Sequence, residues 1–442
     1  MVGPSPNDLH RMALPGLDGF APPEHPLTVE HRSQLIYLLR EAAELEHGIM
    51  CQYLFAAFSL KQSVAEGITA EQLEAVGRWR KVVLEVARQE MLHLALVQNL
   101  LTAIGAAPHL GRPDFPSPAP YFPPGVSLAL VPFGEQALRH FLYLERPEGM
   151  PLEDAAGFAA TQHAQPISGP LWDEEAIVAF PQGFETVGHL YRAIDVGLAW
   201  LTAKIGERRL FIGPATAQAT AADFGWPQLA AVTDLKTAHA AVDTIVEQGE
   251  GVRGEWRTAH FGRFLDVFEE FRALRLADTT FEPARPACAG TVRPRAGSDV
   301  PVIEDALTAQ VADLFDVTNE ILLLALTRFF ADAGEAQTER KALADVAVGL
   351  MFSAIRPLGQ ALTSMPFGPS RSGYTAGPTF ALLPQGVSLL PHRDAALVVL
   401  EERLREAAEF GRRISASPTL DLGRVIDALD RHAAKLAQVH VV

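Results

Sequence analysis

Apolar residues recur along this chain with a period near 3.6, and that pattern predicts an all-α protein. Over 31–63 the stripe runs Leu35, Leu39, Ala42, Ile49, Tyr53, Ala57 and Leu60, and Gly67 with Thr69 marks its end. A second helix is expected over 70–105, carrying Trp79, Val83, Val86, Val97, Leu100 and Ile104, with Gly105 and Pro108 as its stop signal. These two read as antiparallel neighbours. Proline and glycine then exclude helix over 108–132 and predict a covering loop, with a short extended piece at 126–131 and a short helix at 134–144. Helical periodicity returns at 184–205 (Val187, Leu190, Ile194, Leu198, Leu201) and at 227–249 (Leu229, Val232, Leu235, Val242, Ile245).

Residues 25–281 therefore read as a unit built on four long helices, 282–301 as a Pro/Gly/Arg-rich linker, and 302–442 as a second helical region. The second region holds expected helices at 304–332, 337–364, 392–414 and 421–438, with a Gly/Pro/Ser-rich loop through 391. A length of 442 residues exceeds what one hydrophobic core usually organises, in keeping with two packed units. No fixed-period repeat is present.

Composition alters this picture little: 48% hydrophobic and 20% charged residues describe an ordinary globular chain. Its net charge of −16 opposes nonspecific binding to nucleic acid or to anionic lipid. Two cysteines, Cys51 and Cys288, are too few for a disulfide framework or a thiolate zinc site and read as free thiols in a reducing compartment. The first twenty residues lack the basic-then-apolar profile of a secretory signal, and the most apolar run, 321–330, is interrupted by Thr327 and Arg328. The expectation is a soluble cytoplasmic protein without membrane or nucleic-acid partners.

The chemistry lies where polar residues interrupt apolar stripes. Glu46 falls between Ala42 and Ile49, where an uncompensated carboxylate would cost several kcal/mol. Glu90 and His93 interrupt the stripe between Val86 and Val97, and their three-residue offset turns both side chains the same way. A carboxylate from one helix with Glu-x-x-His from the next is half of the di-metal carboxylate arrangement of four-helix bundles. Carboxylate and imidazole donors suit iron, manganese and zinc. The other half is expected from the third and fourth helices, where candidates are in surplus. Glu185 and His189 lie one turn apart, His239, Asp243, Glu247 and Glu250 line one stripe, and His260 follows a Gly-rich break.

Each of these has a blander reading. A lone Glu-x-x-His arises often by chance on a solvated helix; here both residues sit on a buried stripe opposite Glu46. Glu185 serves equally well at a helix N-terminus, and His239 with Asp243 reads better as a pair supporting metal ligands than as ligands. His47 points away from Glu46 and reads as a packed or solvated histidine, Tyr53 as core or as a redox partner, and Met50 and Cys51 as packing residues.

At these positions the chain resembles a known family, the ferritin-like domain of the iminophenyl-pyruvate dimer synthases of violacein and indolocarbazole biosynthesis. The strings that carry the resemblance are LEHGIMCQYLFAAFSL (45–60), RQEMLHLALVQNLLTAIGA (88–106), LERPE (144–148), FETVGHLYRAI (184–194), DLKTAHAAVDTIVEQGEG (234–251) and HFGRF (260–264). It continues into MFSAIRPLGQALTSMPFG (351–368) and AGPTF (376–380) and so covers about residues 30–380, while the last 60 residues match nothing comparable. The resemblance implies a ferritin-like four-helix bundle with a metal site in its first half and oxidative chemistry on an amino-acid-derived molecule. It supports Glu46, Glu90 and His93, with Glu247, Glu250 and His260 as further matching positions. Where similar sequences read Gly-Glu-Phe-Tyr, this chain has Gly188-His189-Leu190-Tyr191, which replaces an anionic ligand by imidazole and leaves a mononuclear and a dinuclear centre both open. The chain is also much shorter than the dimer synthases themselves.

The leading expectation is a non-haem iron oxidase or oxygenase that uses dioxygen on a small organic molecule in secondary metabolism, with His189 or Asp243 moving protons. Alternatives are a metal-storage or peroxide-detoxifying protein without organic substrate, and a scaffold holding a structural zinc. Covering loops at 108–132 and 365–391 favour a substrate pocket over storage. The second region is expected to pack on the first or to form a homo-oligomer interface, with Arg356, Arg371 and Tyr374 as candidates to meet a substrate carboxylate.

Overall fold

The computed structural model describes residues 27–117, 126–156, 158, 183–251, 256–294, 299–331, 334–382, 388–415 and 421–439. Parts of both expected covering loops, 118–125 and 383–387, lie outside the described residues. Helices in chain order are α1 (Arg32–Ser59), α2 (Ala70–Ala103), α3 (Glu135–Leu144), α4 (Val187–Ile205), α5 (Glu207–Leu210), α6 (Ala221–Phe224), α7 (Leu235–Gly249), α8 (His260–Ala277), α9 (Ala306–Ala331), α10 (Gln337–Leu350), α11 (Arg356–Leu362), α12 (Arg393–Ile414) and α13 (Gly423–Val439). Among the described residues there are isolated β-bridges and no strands.

Local chemistry sets the helix limits. Thr69 caps α2 by accepting from the Gln72 backbone N–H at 3.2 Å, while the Gln72 carboxamide accepts from Thr69 N–H at 2.9 Å, so two orphan donors are satisfied reciprocally. At the other end Gly105 takes φ +80, and the Ala106 N–H returns to the Leu101 carbonyl at 2.9 Å. Helix α4 starts at Val187 rather than 184 because Thr186 is its cap. Helix α7 starts at Leu235 rather than 227, because the Asp234 carboxylate captures the Thr237 N–H at 2.8 Å.

Two four-helix rings result. In the first, α1 packs on α2, α2 on α7, α7 on α4 and α4 back on α1, with α3 and α8 laid alongside. In the second, α9 packs on α10, α10 on α13, α13 on α12 and α12 back on α9. Contacts of α1 with α11 and of α2 with α9 join the rings, and a single hydrophobic cluster runs through both, from Val29 to Leu436. The expected linker is stitched into this joint. Ala284 bridges Leu60, Ala287 bridges Thr375 and Thr291 bridges Val302, while the Arg285 guanidinium holds Glu66 at 2.6 and 3.0 Å. The stretch Gln337–Leu362 is long and apolar enough to cross a bilayer by composition, yet more than half of its most apolar part is packed inside the protein.

Candidate metal centre

The first ring carries a cluster of buried acids and imidazoles. Glu46 comes from the middle of α1, Glu90 and His93 from α2, Glu145 from the C-cap of α3, and His260 from the first residue of α8. Glu46, Glu90 and His93 are each 2% exposed, His260 is 1% exposed and Glu145 9%. Charged groups this deep require compensation by a cation or by protons.

Glu90 stands at the centre. Its Oε2 lies 2.9 Å from His93 Nδ1 and its Oε1 lies 2.8 Å from His260 Nδ1, so one carboxylate faces two imidazoles. His93 Nδ1 is also 3.5 Å from Glu46 Oε2, and His260 Nδ1 is 3.5 Å from Glu145 Oε2. Two prospective ligand sets follow, Glu46–Glu90–His93 and Glu90–Glu145–His260, the donor atoms of each lying within 4.8 Å of one another. The two imidazole rings stack at 24° with centroids 5.5 Å apart.

Surrounding groups fix how these donors point. The second nitrogen of each histidine meets a glutamine oxygen, His93 Nε2 with Gln248 at 3.1 Å and His260 Nε2 with Gln89 at 3.2 Å. Donation from Nε2–H to glutamine leaves both Nδ1 lone pairs aimed at the carboxylates, the tautomer that a metal-binding histidine adopts. Arg263 donates to the same Gln89 oxygen at 2.6 Å. Tyr53 donates its hydroxyl hydrogen to Glu145, and Tyr191 donates to Glu46.

The electrostatics show how the charges of the cluster balance. Burial, aided by the charge of Glu90, pushes Glu46 up to about 8. Burial opposes ionisation of Glu90 too, but His260 and His93 outweigh it and hold Glu90 well below the ordinary carboxylate range. Burial lowers His93 and His260, and their acidic neighbours overcome it, raising His93 well above its ordinary value and His260 to about 9. Protons thus do the neutralising when no cation is there. One observation tests directly whether a metal fits: Glu90 Oε1 and His260 Nδ1 are buried and 2.8 Å apart, yet are not aligned as a hydrogen bond. A proton on His260 Nδ1 serves this misaligned pair poorly, whereas a cation bound by both atoms would satisfy them together. Three carboxylates and two imidazoles, one carboxylate facing both sets, suit two divalent transition metals in number and in donor type.

The other residues singled out from the sequence lie elsewhere. Glu250 comes nearest: as the C-cap of α7 it lines a small cavity of about 30 Å³ with Glu46, Glu90 and His93, and its Oε2 accepts from the Glu148 N–H at 3.1 Å. Gly188 makes room for it, since a Cβ there would fall 2.0 Å from Glu250 Oε2. Glu247 and Asp243 are exposed, because α7 turns Ala238, Ala241, Val242 and Ile245 inward. Glu185 is exposed and precedes the cap of α4, a role that Thr186 takes. His239 pairs with Asp195 of α4. His189 is buried in α4 but belongs to neither ligand set; Tyr191, about 200° further round the helix, is the residue that reaches Glu46. His47 is buried against the Leu110 carbonyl at 3.0 Å, and burial with the nearby Arg112 charge keeps it far below its ordinary value.

Sequence reasoning did not select Glu145 as a ligand. It closes a ten-residue helix instead of interrupting a long stripe, so periodicity gives it no mark, and its only signal was its place in the LERPE string.

A family model described as Ferritin-like matches residues 39–269, more than half of the 442 residues, and the chain belongs to that family. Dichlorochromopyrrolate synthase of Lentzea aerocolonigenes is 27% identical over 426 residues, covering 88% of this chain and 40% of that protein. The 2-imino-3-(indol-3-yl)propanoate dimerase of Chromobacterium violaceum is 30% identical over 395 residues, covering 85% of this chain and 36% of the relative. The chain thus spans about two fifths of the length of these relatives. A crystal structure of a ferritin like protein from Caulobacter vibrioides aligns at 21% identity with a TM-score of 0.47, over 76% of this chain and 96% of its own.

Proposed function

We propose that this ferritin-like protein is a metal-dependent oxidoreductase whose dinuclear, iron-type centre uses dioxygen on a small amino-acid-derived molecule in secondary metabolism. The observation that carries the reading is Glu90, one buried carboxylate shared between the Glu46–His93 and Glu145–His260 sets. The names of the two relatives, one a synthase and one a dimerase of an imino acid, supply the substrate class.

Bound iron would supply the one-electron redox steps and the affinity for dioxygen. The chain's own residues do the rest. Glu46, Glu90 and Glu145 neutralise the cations, and His93 and His260 present Nδ1 because Gln248 and Gln89 hold their Nε2 hydrogens. Tyr191 and Tyr53 each hold one carboxylate oxygen of Glu46 and Glu145, leaving the other toward the histidines. Both phenols are kept protonated by burial, so they act as donors at neutral pH. Leu144, Val187 and Ile245 line the small cavity and limit water.

A second reading, oxidant handling without organic substrate, has one observation in its favour: the cavity beside the cluster holds about 30 Å³, room for water or dioxygen only. Metal analysis after anaerobic Fe(II) loading and exposure to air separates the two. About two irons per chain with an optical change on aeration supports the oxidase. A large excess of iron supports storage, and neither metal uptake nor spectral change sinks both.

A further inference from the structure

The same two helices that carry the metal ligands turn a second face to an apolar cavity of about 500 Å³, set where the first ring meets the second. One step along a helix is about 100°, so His47 of α1 and Met91 of α2 face this cavity while their neighbours Glu46 and Glu90 face the cluster. The volume lies within the range of small-molecule sites, about 300–1,000 Å³.

Its lining is specific. Six aromatic residues contribute, Phe58, Phe224, Trp226, Phe330, Phe352 and Phe380, joined by Met50, Met91 and Met351. Aromatic faces and thioether sulfurs gain most from a planar ring, through offset stacking and sulfur–ring contacts. A five-residue π-helical turn, Met351–Ile355, between α10 and α11 supplies Met351, Phe352 and Ile355 and is followed at once by Arg356. Such turns are rare and frequent at functional sites. Phe352 is 61% exposed and marks the mouth.

The cavity is lined by cations in a chain of net charge −16. Arg80, Lys81, Arg88 and Arg356 line it against one carboxylate, Glu85, which Arg88 already occupies. Two lining residues also carry buried donors with no acceptor among the described residues, Arg80 at Nε and Asn319 at Nδ2. Burial and the guanidinium groups of Arg285 and Arg356 pull Arg80 below its ordinary range, and the charge of Glu66, itself held by Arg285, offsets this only in part. Arg80 Nη2 donates to the Leu60 and Lys61 carbonyls, but its Nε–H, the Asn319 amide, and Lys81 and Arg356, which have no carboxylate at ion-pair distance among the described residues, call for an anionic acceptor, and the wall behind them calls for a ring.

We propose that this cavity is a binding site for an aromatic carboxylate, its ring among Phe58, Trp226 and Phe330 and its carboxylate at Arg80 and Arg356. The site is separate from the metal cluster and does not depend on it. Fluorescence titration of the full chain with 2-naphthylacetate tests the assignment, with 2-naphthylacetamide and decanoate as comparison ligands. Expected are saturable binding of the acid, about tenfold weaker binding of the amide, and about tenfold loss with Arg356→Met. Affinity should be the same with and without metal, which keeps this test distinct from failure of the oxidase reading. No binding to protein whose circular dichroism is native overturns the proposal, as does equal binding of acid and amide or indifference to Arg356→Met. Preference for decanoate overturns the aromatic assignment.

Discussion

Around the second ring, Glu339 is held by Arg393 at 2.7 and 2.9 Å, Glu320 by Arg403 and Glu335 by Arg328. In the first ring Glu46 and Glu90 are buried as deeply and meet only imidazoles, a tyrosine and each other, with no arginine or lysine at ion-pair distance among the described residues. The two regions are made from the same kinds of helix. What differs is the source of positive charge, which is built into the chain in one and left to be supplied in the other. An acid with a covalently attached cation nearby is architecture; a cluster of acids that has only protonatable partners has the composition that a metal ion would fit.

The contrast breaks most sharply at Glu90. Glu90→Ala removes the oxygen donors common to both sets, and bound metal should fall from about two equivalents to none by elemental analysis. Glu145→Ala removes a member of one set only, so about one equivalent should remain. Loss of both, or of neither, would show that the sets are not arranged as two halves around Glu90.

Asp316 of α9 sharpens the other side. It is fully buried, accepts from Thr379 and from the Ala381 N–H, and is raised to about 7, first by burial. The folded state therefore holds a proton that the unfolded chain, titrating near 3.9, gives up. Stability should be greatest below about pH 4 as far as this group is concerned and should fall on the order of 2–4 kcal/mol as pH rises to 7, then level off. Asp316→Asn should flatten that slope in chemical denaturation without changing metal content. The smallest effect is expected for Arg393→Ala, which leaves Glu339 without its cation. Because Arg393 is 42% exposed, solvent screens the pair, and a loss of about 1 kcal/mol is expected, again with metal content unchanged.

The long helices were legible because their apolar stripes are long: 31–63, 70–105 and 304–332 are observed as Arg32–Ser59, Ala70–Ala103 and Ala306–Ala331. Polar residues inside those stripes were equally legible, which is how Glu46, Glu90 and His93 stood out. Helix α8 was not read as a helix at all. Buried and exposed positions are spread around it, Phe261, Phe264, Leu265 and Phe268 inward and Asp266 outward, so its periodic signal is weak, and the cluster's second half begins there. The second half was sought on the third and fourth helices, whose acidic stripe of Asp243 and Glu247 lies on solvent, with His260 beyond them as a further candidate. Periodicity finds which face of a helix is unlike its surroundings, but an acidic stripe and a ligand stripe look alike until the neighbouring helix is in place. Likewise the 282–301 stretch has a linker's composition, and only its bridges to Leu60, Thr375 and Val302 reveal that it fastens the two rings together.

Helices α1 and α2 form a partition one helix thick between two chambers, polar and nearly filled on one side, oily and roomy on the other. Consecutive residues in the chain, Glu46 with His47 and Glu90 with Met91, look into different rooms. Because the two faces belong to the same pair of helices, each room can be altered without entering the other: substitutions at His47 or Met91 address the oily side, and substitutions at Glu46 or Glu90 the polar side.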